Sequence, residues 1–257
     1  MKTKIKTCLT ALSIFFLCIA THSQTSEVNN REVSNDTNPT IITDWYNRVD
    51  ISKLNNTSDA YSIVWKGEVA GSMKYHKTIE NGKLIIQDTS ELKGIVWEKL
   101  DVSINLEDMS MNTGDVTVNY PQNKTKMSGN VEWVGQNIQG TYTINQENDI
   151  KTIPIDFNPK NRVLGRAAIF ALIPALPIKE SIEYKIDMFA FSNAEIWHMN
   201  LNVIGKKNIT WHNKEVEVYQ INLTGGKVNN IVYMTTDGSG KLLQIDVVGQ
   251  DMQVILN

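Results

Sequence analysis

Residues 166–186 read RAAIFALIPALPIKESIEYKI, and the two halves of this stretch follow different patterns. The first half carries no charge between Arg166 and Ile178 and is interrupted by Pro174 and Pro177. The second half alternates apolar and polar residues, which is the pattern of a half-buried β-strand. The stretch therefore predicts an apolar helical piece that leads directly into a sheet.

The spacing of apolar residues predicts a helix over residues 161–173. Val163, Ala167, Phe170 and Ile173 recur every three to four positions, and the proline that follows cannot continue a helix. Apart from two arginines, nearly every side of this helix is apolar. Protein, ligand or lipid must cover it, since water would leave too much apolar surface exposed. We expect the helix either to fill the core against a sheet or to act as a lid over a hydrophobic guest.

The chain from residue 60 onward has the period of two that is typical of strands. Asn81-Gly82 and Asp237-Gly238 supply turn chemistry between such runs, and Asn-Gly is a strong hairpin signal. The predicted inward-facing residues include Ile138, Tyr142, Ile144, Ile182, Tyr184, Ile186, Met188, Trp197, Met199, Leu201 and Val203. About a dozen strands predict an all-β fold, mainly antiparallel, forming a strongly curved sheet, half-barrel or sandwich with one short apolar helix packed on it.

The first 23 residues have the three-part pattern of a secretory signal peptide. Three lysines precede an apolar stretch at residues 9–20, and small residues follow it. The apolar stretch of about 12 residues is shorter than the roughly 20 that a membrane-spanning helix needs. We therefore predict export to the periplasm, with an extracellular or outer-membrane-associated location as the alternative.

The remaining chain divides into two parts. Residues 24–40 are polar and asparagine-rich, which predicts a disordered leader, and residues 41–257 are predicted to form a single β-rich domain. Cys8 and Cys18 both lie within the predicted signal peptide, so the mature chain is expected to hold no disulfide. No transmembrane segment is predicted in the mature chain.

The charge balance bears on the choice of partners. Removal of the three signal-peptide lysines changes 25 basic and 28 acidic residues to 22 and 28, so the net charge moves from -3 to -6. Proteins that bind nucleic acid normally have a basic patch, so nucleic acid is not an expected partner.

Common catalytic motifs are absent from the sequence. There is no His-Glu-x-x-His, no Gly-x-Ser-x-Gly, no Gly-x-Gly-x-x-Gly and no Walker loop. His76, His198 and His212 lack the close pair spacing of a zinc site, so we predict no metal and no cofactor. A glycan-acting hydrolase with dispersed carboxylates stays an alternative, because such pairs meet only in three dimensions.

The apolar segment and the aromatic and methionine residues that follow it predict a site for a hydrophobic ligand. The candidate binding residues are Phe170, Leu172, Leu176, Tyr184, Met188, Trp197 and Met199. We predict a non-enzymatic periplasmic protein that binds a hydrophobic small molecule or a protein of the cell envelope. The other alternative is a structural or interaction module that pairs with a neighbour through an exposed strand edge.

Three segments resemble a known family. They are WKGEVAGSMKYHKTIENGKLII (residues 65–86), the segment at 166–186 quoted above, and NKEVEVYQINLTGGKVNNIVYMTTDGSGKLLQIDV (residues 213–247). Together they resemble the bacterial exported proteins grouped as domain of unknown function three-one-zero-eight. The matching features are Gly67 and Gly71 in the first hairpin, Leu176-Pro177-Ile178 before a strand, and the final strand pair at residues 231–245.

The resemblance implies a predominantly β, exported envelope protein of a Gram-negative bacterium, with no assigned activity. The outline is also similar to that of the lipoprotein-localisation (Lol-type) carriers, whose curved sheet has an apolar hollow closed by a helix. This second similarity concerns architecture alone, and a shared fold does not establish a shared function.

Overall fold

A computed structural model describes residues 39–147, 149–191 and 193–257. The predicted signal peptide, residues 1–23, lies outside the described residues, and so does the predicted leader as far as residue 38. Thr40, the last residue of that predicted leader, already belongs to the first strand.

The described residues form one α-helix, α1 (Arg166–Leu172), and sixteen strands. The strands are β1 (Thr40–Ile42), β2 (Thr57–Trp65), β3 (Glu68–Glu80), β4 (Lys83–Leu92), β5 (Val96–Asn105), β6 (Met111–Tyr120), β7 (Thr125–Val134), β8 (Asn137–Gln146), β9 (Asp149–Phe157), β10 (Val163–Gly165), β11 (Ile182–Ala190), β12 (Glu195–Trp211), β13 (Lys214–Thr224), β14 (Asn230–Thr235), β15 (Leu242–Val247) and β16 (Met252–Leu256). Short 3-10 turns occur at Trp45–Arg48, Ile51–Lys53, Pro121–Asn123 and Ile173–Ala175.

All sixteen strands belong to one sheet that is not closed. Its order is β1-β11-β12-β13-β14-β15-β16-β2-β3-β4-β5-β6-β7-β8-β9, and β10 also pairs with β11. Both β1 and β10 run parallel to β11, whereas the other neighbours are antiparallel. The prediction of an all-β, mainly antiparallel fold with one short apolar helix is confirmed.

The β3–β4 hairpin shows how the local sequence sets the strand register. Asn81 and Gly82 both have positive φ, 51° and 71°, and Glu80 pairs with Lys83 on either side of them. This is the two-residue turn predicted from Asn-Gly, whose twist matches that of the flanking strands. Because side chains alternate along a strand, the turn also fixes which residues of β3 and β4 face inward.

The two ends of the sheet approach each other through aromatic side chains. The Phe189 ring on β11 lies 6.0 Å from the Trp133 ring on β7 and 6.1 Å from the Phe157 ring on β9, centroid to centroid. Strand β9 ends the sheet order, while β11 is next to its other end. The sheet is therefore strongly bent, and packed rings join its ends where no strand ladder does.

Helix α1 lies inside this bend. It contacts β4 and β5 as well as β10 and β11, and none of its seven residues is more than 7% exposed. The covered inner face that the sequence predicts is thus occupied by α1. Burial of a helix that is apolar on nearly every side removes the exposed surface that water would penalise.

The predicted helix boundaries at residues 161–173 were wrong at the N-terminal end. Val163–Gly165 form β10, which pairs in parallel with Asp187, Met188 and Phe189 of β11. A partner strand therefore satisfies the backbone there, and helical hydrogen bonds begin only at Arg166. At the C-terminal end, Pro174 lies in the 3-10 turn that ends the segment, as its missing N–H requires.

Candidate functional site

Three charged side chains are buried beside α1. Arg166, the first residue of the helix, lies between Asp88 on β4 and Glu98 on β5. Its Nη2 is 3.2 Å from Asp88 Oδ2 and 3.3 Å from Glu98 Oε1, and its Nη1 donates to Glu98 Oε2 at 3.4 Å. The three side chains are 8%, 4% and 3% exposed. We call them the buried triad.

The buried triad has two carboxylates for one guanidinium. Burial raises the pKa of Asp88 to about 6; the Arg166 guanidinium opposes this shift and the Glu98 carboxylate adds to it. Asp88 Oδ1 and Ser90 Oγ are buried and have no hydrogen-bond partner among the described residues. Buried polar atoms are rarely left without partners, so the buried triad and Ser90 form an incompletely paired polar cluster within a mainly apolar core.

Tyr75 links the helix to a hollow outside the core. Its hydroxyl donates to the Ala167 carbonyl oxygen at 2.5 Å. Burial raises the pKa of the Tyr75 phenol well above its ordinary value, and the Asp88 carboxylate acts in the same direction. The phenol therefore stays neutral and serves as a hydrogen-bond donor that ties β3 to the first turn of α1.

A hollow of about 250 Å³ lies at the C-terminal end of α1, and we call it the helix-end hollow. Strands β2, β3 and β15, the end of α1 and the turn before β15 form its wall. Its apolar and aromatic lining residues are Tyr61, Tyr75, Phe170, Pro174 and Leu242. Part of this wall follows directly from strand register, because Asp59 pairs with Tyr75 and Thr57 pairs with Lys77 across β2 and β3. Alternation places these four side chains on the inner face.

The charges around the helix-end hollow are mostly positive. Lys53, Lys77 and Lys241 line it together with a single carboxylate, that of Asp59. Burial lowers the pKa of Lys77, with the Asp59 carboxylate opposing that shift. Thr57 Oγ1, on the same wall, is buried without a hydrogen-bond partner in the described part of the chain. The hollow thus combines an apolar floor with a cationic rim and an unused hydroxyl group.

The seven residues that the sequence singles out as ligand-binding fall in two places. Phe170 lines the helix-end hollow. The others are in the packed core, each 8% exposed or less: Leu172, Leu176, Tyr184, Met188, Trp197 and Met199.

Two of these core residues already have hydrogen-bond partners. The Tyr184 hydroxyl donates to the Pro177 carbonyl oxygen at 2.7 Å, and the Trp197 indole donates to Glu195 Oε2 at 3.2 Å. Their polar atoms are therefore used within the protein.

Sequence reasoning missed the residues that carry the chemistry of this region. They are Tyr75, Lys77, Asp88, Glu98 and Arg166. One sequence signal was available, because Asp88 and Glu98 both fall on the inward rows of their strands. On those rows Ile86 precedes Asp88, and Val96 and Leu100 flank Glu98. A charged residue on an inward row needs a partner inside the core.

The described residues provide little basis for a metal site, a histidine-based site or a membrane-spanning helix. Within them, no three His, Cys, Asp or Glu side chains come together in a way that would hold a metal ion. His198 contacts Asp187 across 2.6 Å, but its side chain is 81% exposed. No helix in the described ranges has both the length and the apolar character needed to cross a bilayer.

The comparisons with known proteins add no assignment. No protein-family model matches the chain, and no curated protein matches it. The resemblance to the exported family and to lipoprotein carriers therefore stays a prediction.

Proposed function

We propose that this is a non-enzymatic, exported protein that binds a small amphipathic anion in the helix-end hollow. The observation that carries the proposal is the lining of that hollow, where mostly buried aromatic and apolar residues meet three lysines and one aspartate that are partly or fully exposed. An apolar tail would contact Phe170, Tyr61 and Leu242. An anionic head would meet the ammonium groups at the rim.

The volume of the hollow restricts the size of the ligand. About 250 Å³ is slightly below the roughly 300–1,000 Å³ of ordinary ligand pockets. Helix α1 itself occupies the inner face of the bent sheet, so a long acyl chain would have no room there. A short chain still has a useful driving force, since each buried methylene contributes about 0.8 kcal/mol.

Lys77 is the side chain best placed to distinguish an anion from a neutral guest. It is half-buried and its pKa is lowered by burial, so a carboxylate nearby would restore the stability of its charged form. Charge-assisted hydrogen bonds of this kind contribute about 1.5–3 kcal/mol. Binding should therefore depend strongly on this one ammonium group.

The test is a titration of the protein with octanoate, followed by calorimetry. We expect saturable binding to the wild-type protein, and binding about 10- to 150-fold weaker to Lys77→Met. Lys74→Met is the matched control, because Lys74 is on the same strand but exposed on the outer face. The proposal would be contradicted if octanoate did not bind saturably, or if the two variants lost the same affinity for octanoate.

The sheet edge supports a second candidate, an interaction module. Strand β9 pairs with β8 on one side and, among the described residues, has no strand on the other. Ile150 on β9 is 64% exposed. Lys151 and Pro154 on the same strand are features that proteins use to prevent edge pairing, which makes this candidate the weaker one.

The structure supports a glycan hydrolase less than it supports an interaction module. Asp88 and Glu98 are close enough to act as a carboxylate pair, since both contact one nitrogen of Arg166. Their side chains are only 4% and 3% exposed. A sugar would have to displace α1 to reach them.

A further inference from the structure

A second and larger hollow lies where the chain enters β10, at residues 161–163. Its volume is about 370 Å³, within the roughly 300–1,000 Å³ that is usual for ligand pockets. It is formed where the β5–β6 turn, the β7–β8 turn and residues 161–163 meet. None of its lining residues lines the helix-end hollow.

The formal charges in this second hollow cancel. Arg162 and Asp108 are its charged lining residues, and Arg162 Nη1 is 3.4 Å from Asp108 Oδ2. Burial acts to raise the pKa of Asp108, but hydrogen bonds from Ser110 outweigh it and hold the pKa below its usual value. Asp108 therefore stays ionised beside Arg162. A net charge of zero favours a neutral ligand, in contrast to the cationic rim of the helix-end hollow.

Trp133, a residue that lines the second hollow, carries an unused hydrogen-bond donor. The Trp133 indole nitrogen is buried without a hydrogen-bond partner among the described residues. The ring is held in place by its edge-on contact with Phe189. Because the Trp133 ring lines the hollow, its buried N–H is a local reporter of a ligand bound there, and the ring itself offers an apolar face.

Hydrogen bonds and ring contacts hold several side chains of the second hollow in place before any ligand binds. Asp108 Oδ1 accepts from the backbone N–H and the hydroxyl of Ser110 at 3.0 and 2.7 Å, and Asn105 Nδ2 donates to the Ser110 hydroxyl at 3.1 Å. Arg162 stacks 4.3 Å from the ring centroid of Tyr46. Groups held in this way lose little entropy on binding.

The chemistry of the lining identifies the ligand class. The amide and hydroxyl groups of the lining donate and accept hydrogen bonds, and the Asp108 carboxylate accepts them. Met111, Val163 and the Trp133 ring provide apolar surface. A sugar has the matching combination of hydroxyl groups and C–H faces. We propose that the second hollow is a binding site for a small neutral polyhydroxylated molecule of monosaccharide size.

The test follows the indole N–H resonances of the full chain by NMR during addition of glucose, galactose or N-acetylglucosamine. The Trp133 resonance is assigned by its loss in Trp133→Phe. We expect at least one of the sugars to shift this resonance saturably at millimolar concentrations. The Trp211 indole, which already donates to the Leu256 carbonyl oxygen, should not move.

Gln136→Ala provides a variant that leaves the core untouched, because Gln136 is an exposed residue in the β7–β8 turn. It should weaken sugar binding several-fold. The proposal is overturned if none of the three sugars shifts the Trp133 resonance saturably. It is also overturned if Gln136→Ala binds as the wild type does, or if gluconate binds more tightly than the neutral sugars.

Discussion

Replacing Arg166 by methionine should destabilise the protein far more than any surface charge change. The substitution keeps helix propensity and much of the side-chain volume, but it leaves Asp88 and Glu98 buried together without a cation. Both carboxylates have less than 5% of their side chains exposed. Breaking a buried ion pair in this way costs about 3–5 kcal/mol.

The assay is urea unfolding at pH 8, followed by tryptophan fluorescence. Arg162→Met is the control, because the Arg162 side chain is 28% exposed and its partner Asp108 is 48% exposed. Such an ion pair contributes about 1 kcal/mol or less. If Arg166→Met and Arg162→Met lose the same stability, the buried triad does not exist as described.

A triple variant separates the missing charge from the lost packing. Combining Arg166→Met with Asp88→Leu and Glu98→Leu removes all three charges and keeps the core apolar. Replacing a buried ionic group by hydrophobic residues is often neutral or stabilising. The triple variant should therefore recover most of the stability lost in Arg166→Met, and a further loss would contradict the electrostatic explanation.

Three further predictions concern single residues. The pKa of Asp88 is about 6 in the folded protein and 3.8 ordinarily. Protonation of Asp88 therefore adds most to the free energy of unfolding below about pH 4, and this contribution is lost as the pH rises through 6. Asp88→Asn should remove this slope of up to about 1.4 kcal/mol per pH unit, as measured by urea unfolding from pH 4 to 7. Tyr75→Phe removes the bond to the Ala167 carbonyl and should lower the free energy of unfolding by about 1 kcal/mol; an unchanged value would contradict that bond. Gly240 has φ +64°, and an added Cβ would lie 2.7 Å from Pro174 Cβ. Gly240→Ala should therefore lower the melting temperature and weaken octanoate binding at the neighbouring hollow, and wild-type values for both would contradict this close approach.

Much of the sheet could be predicted because the sequence patterns that mark strands and turns lie within single strands and turns. Alternation of apolar and polar residues identifies the inner faces of β8, β11 and β12, and Asn81-Gly82 fixes one hairpin by itself. The apolar helix was also readable, since the proline after Ile173 marks its end. These features depend on residues within one strand or one turn of each other.

The rest depends on contacts between distant residues. Arg166 meets Asp88 across 78 positions and Glu98 across 68, so neither pairing has a local signal. Val163–Gly165 read as helix, but pairing with β11 makes them a strand. The seven candidate residues were chosen for their apolar or aromatic character and for their place in the apolar segment or on inward-facing rows. Because α1 packs inside the bent sheet, the apolar side chains mostly contact each other. The two hollows have polar residues in their linings.

The most direct measurement for the proposed site is an isotope-filtered NOE spectrum of the labelled protein with octanoate. We predict NOEs from the octanoate chain to ring protons of Phe170 and Tyr61, at the helix-end hollow. NOEs to Met188 and Trp197 in the core, or no intermolecular NOEs under saturating octanoate, would contradict this prediction.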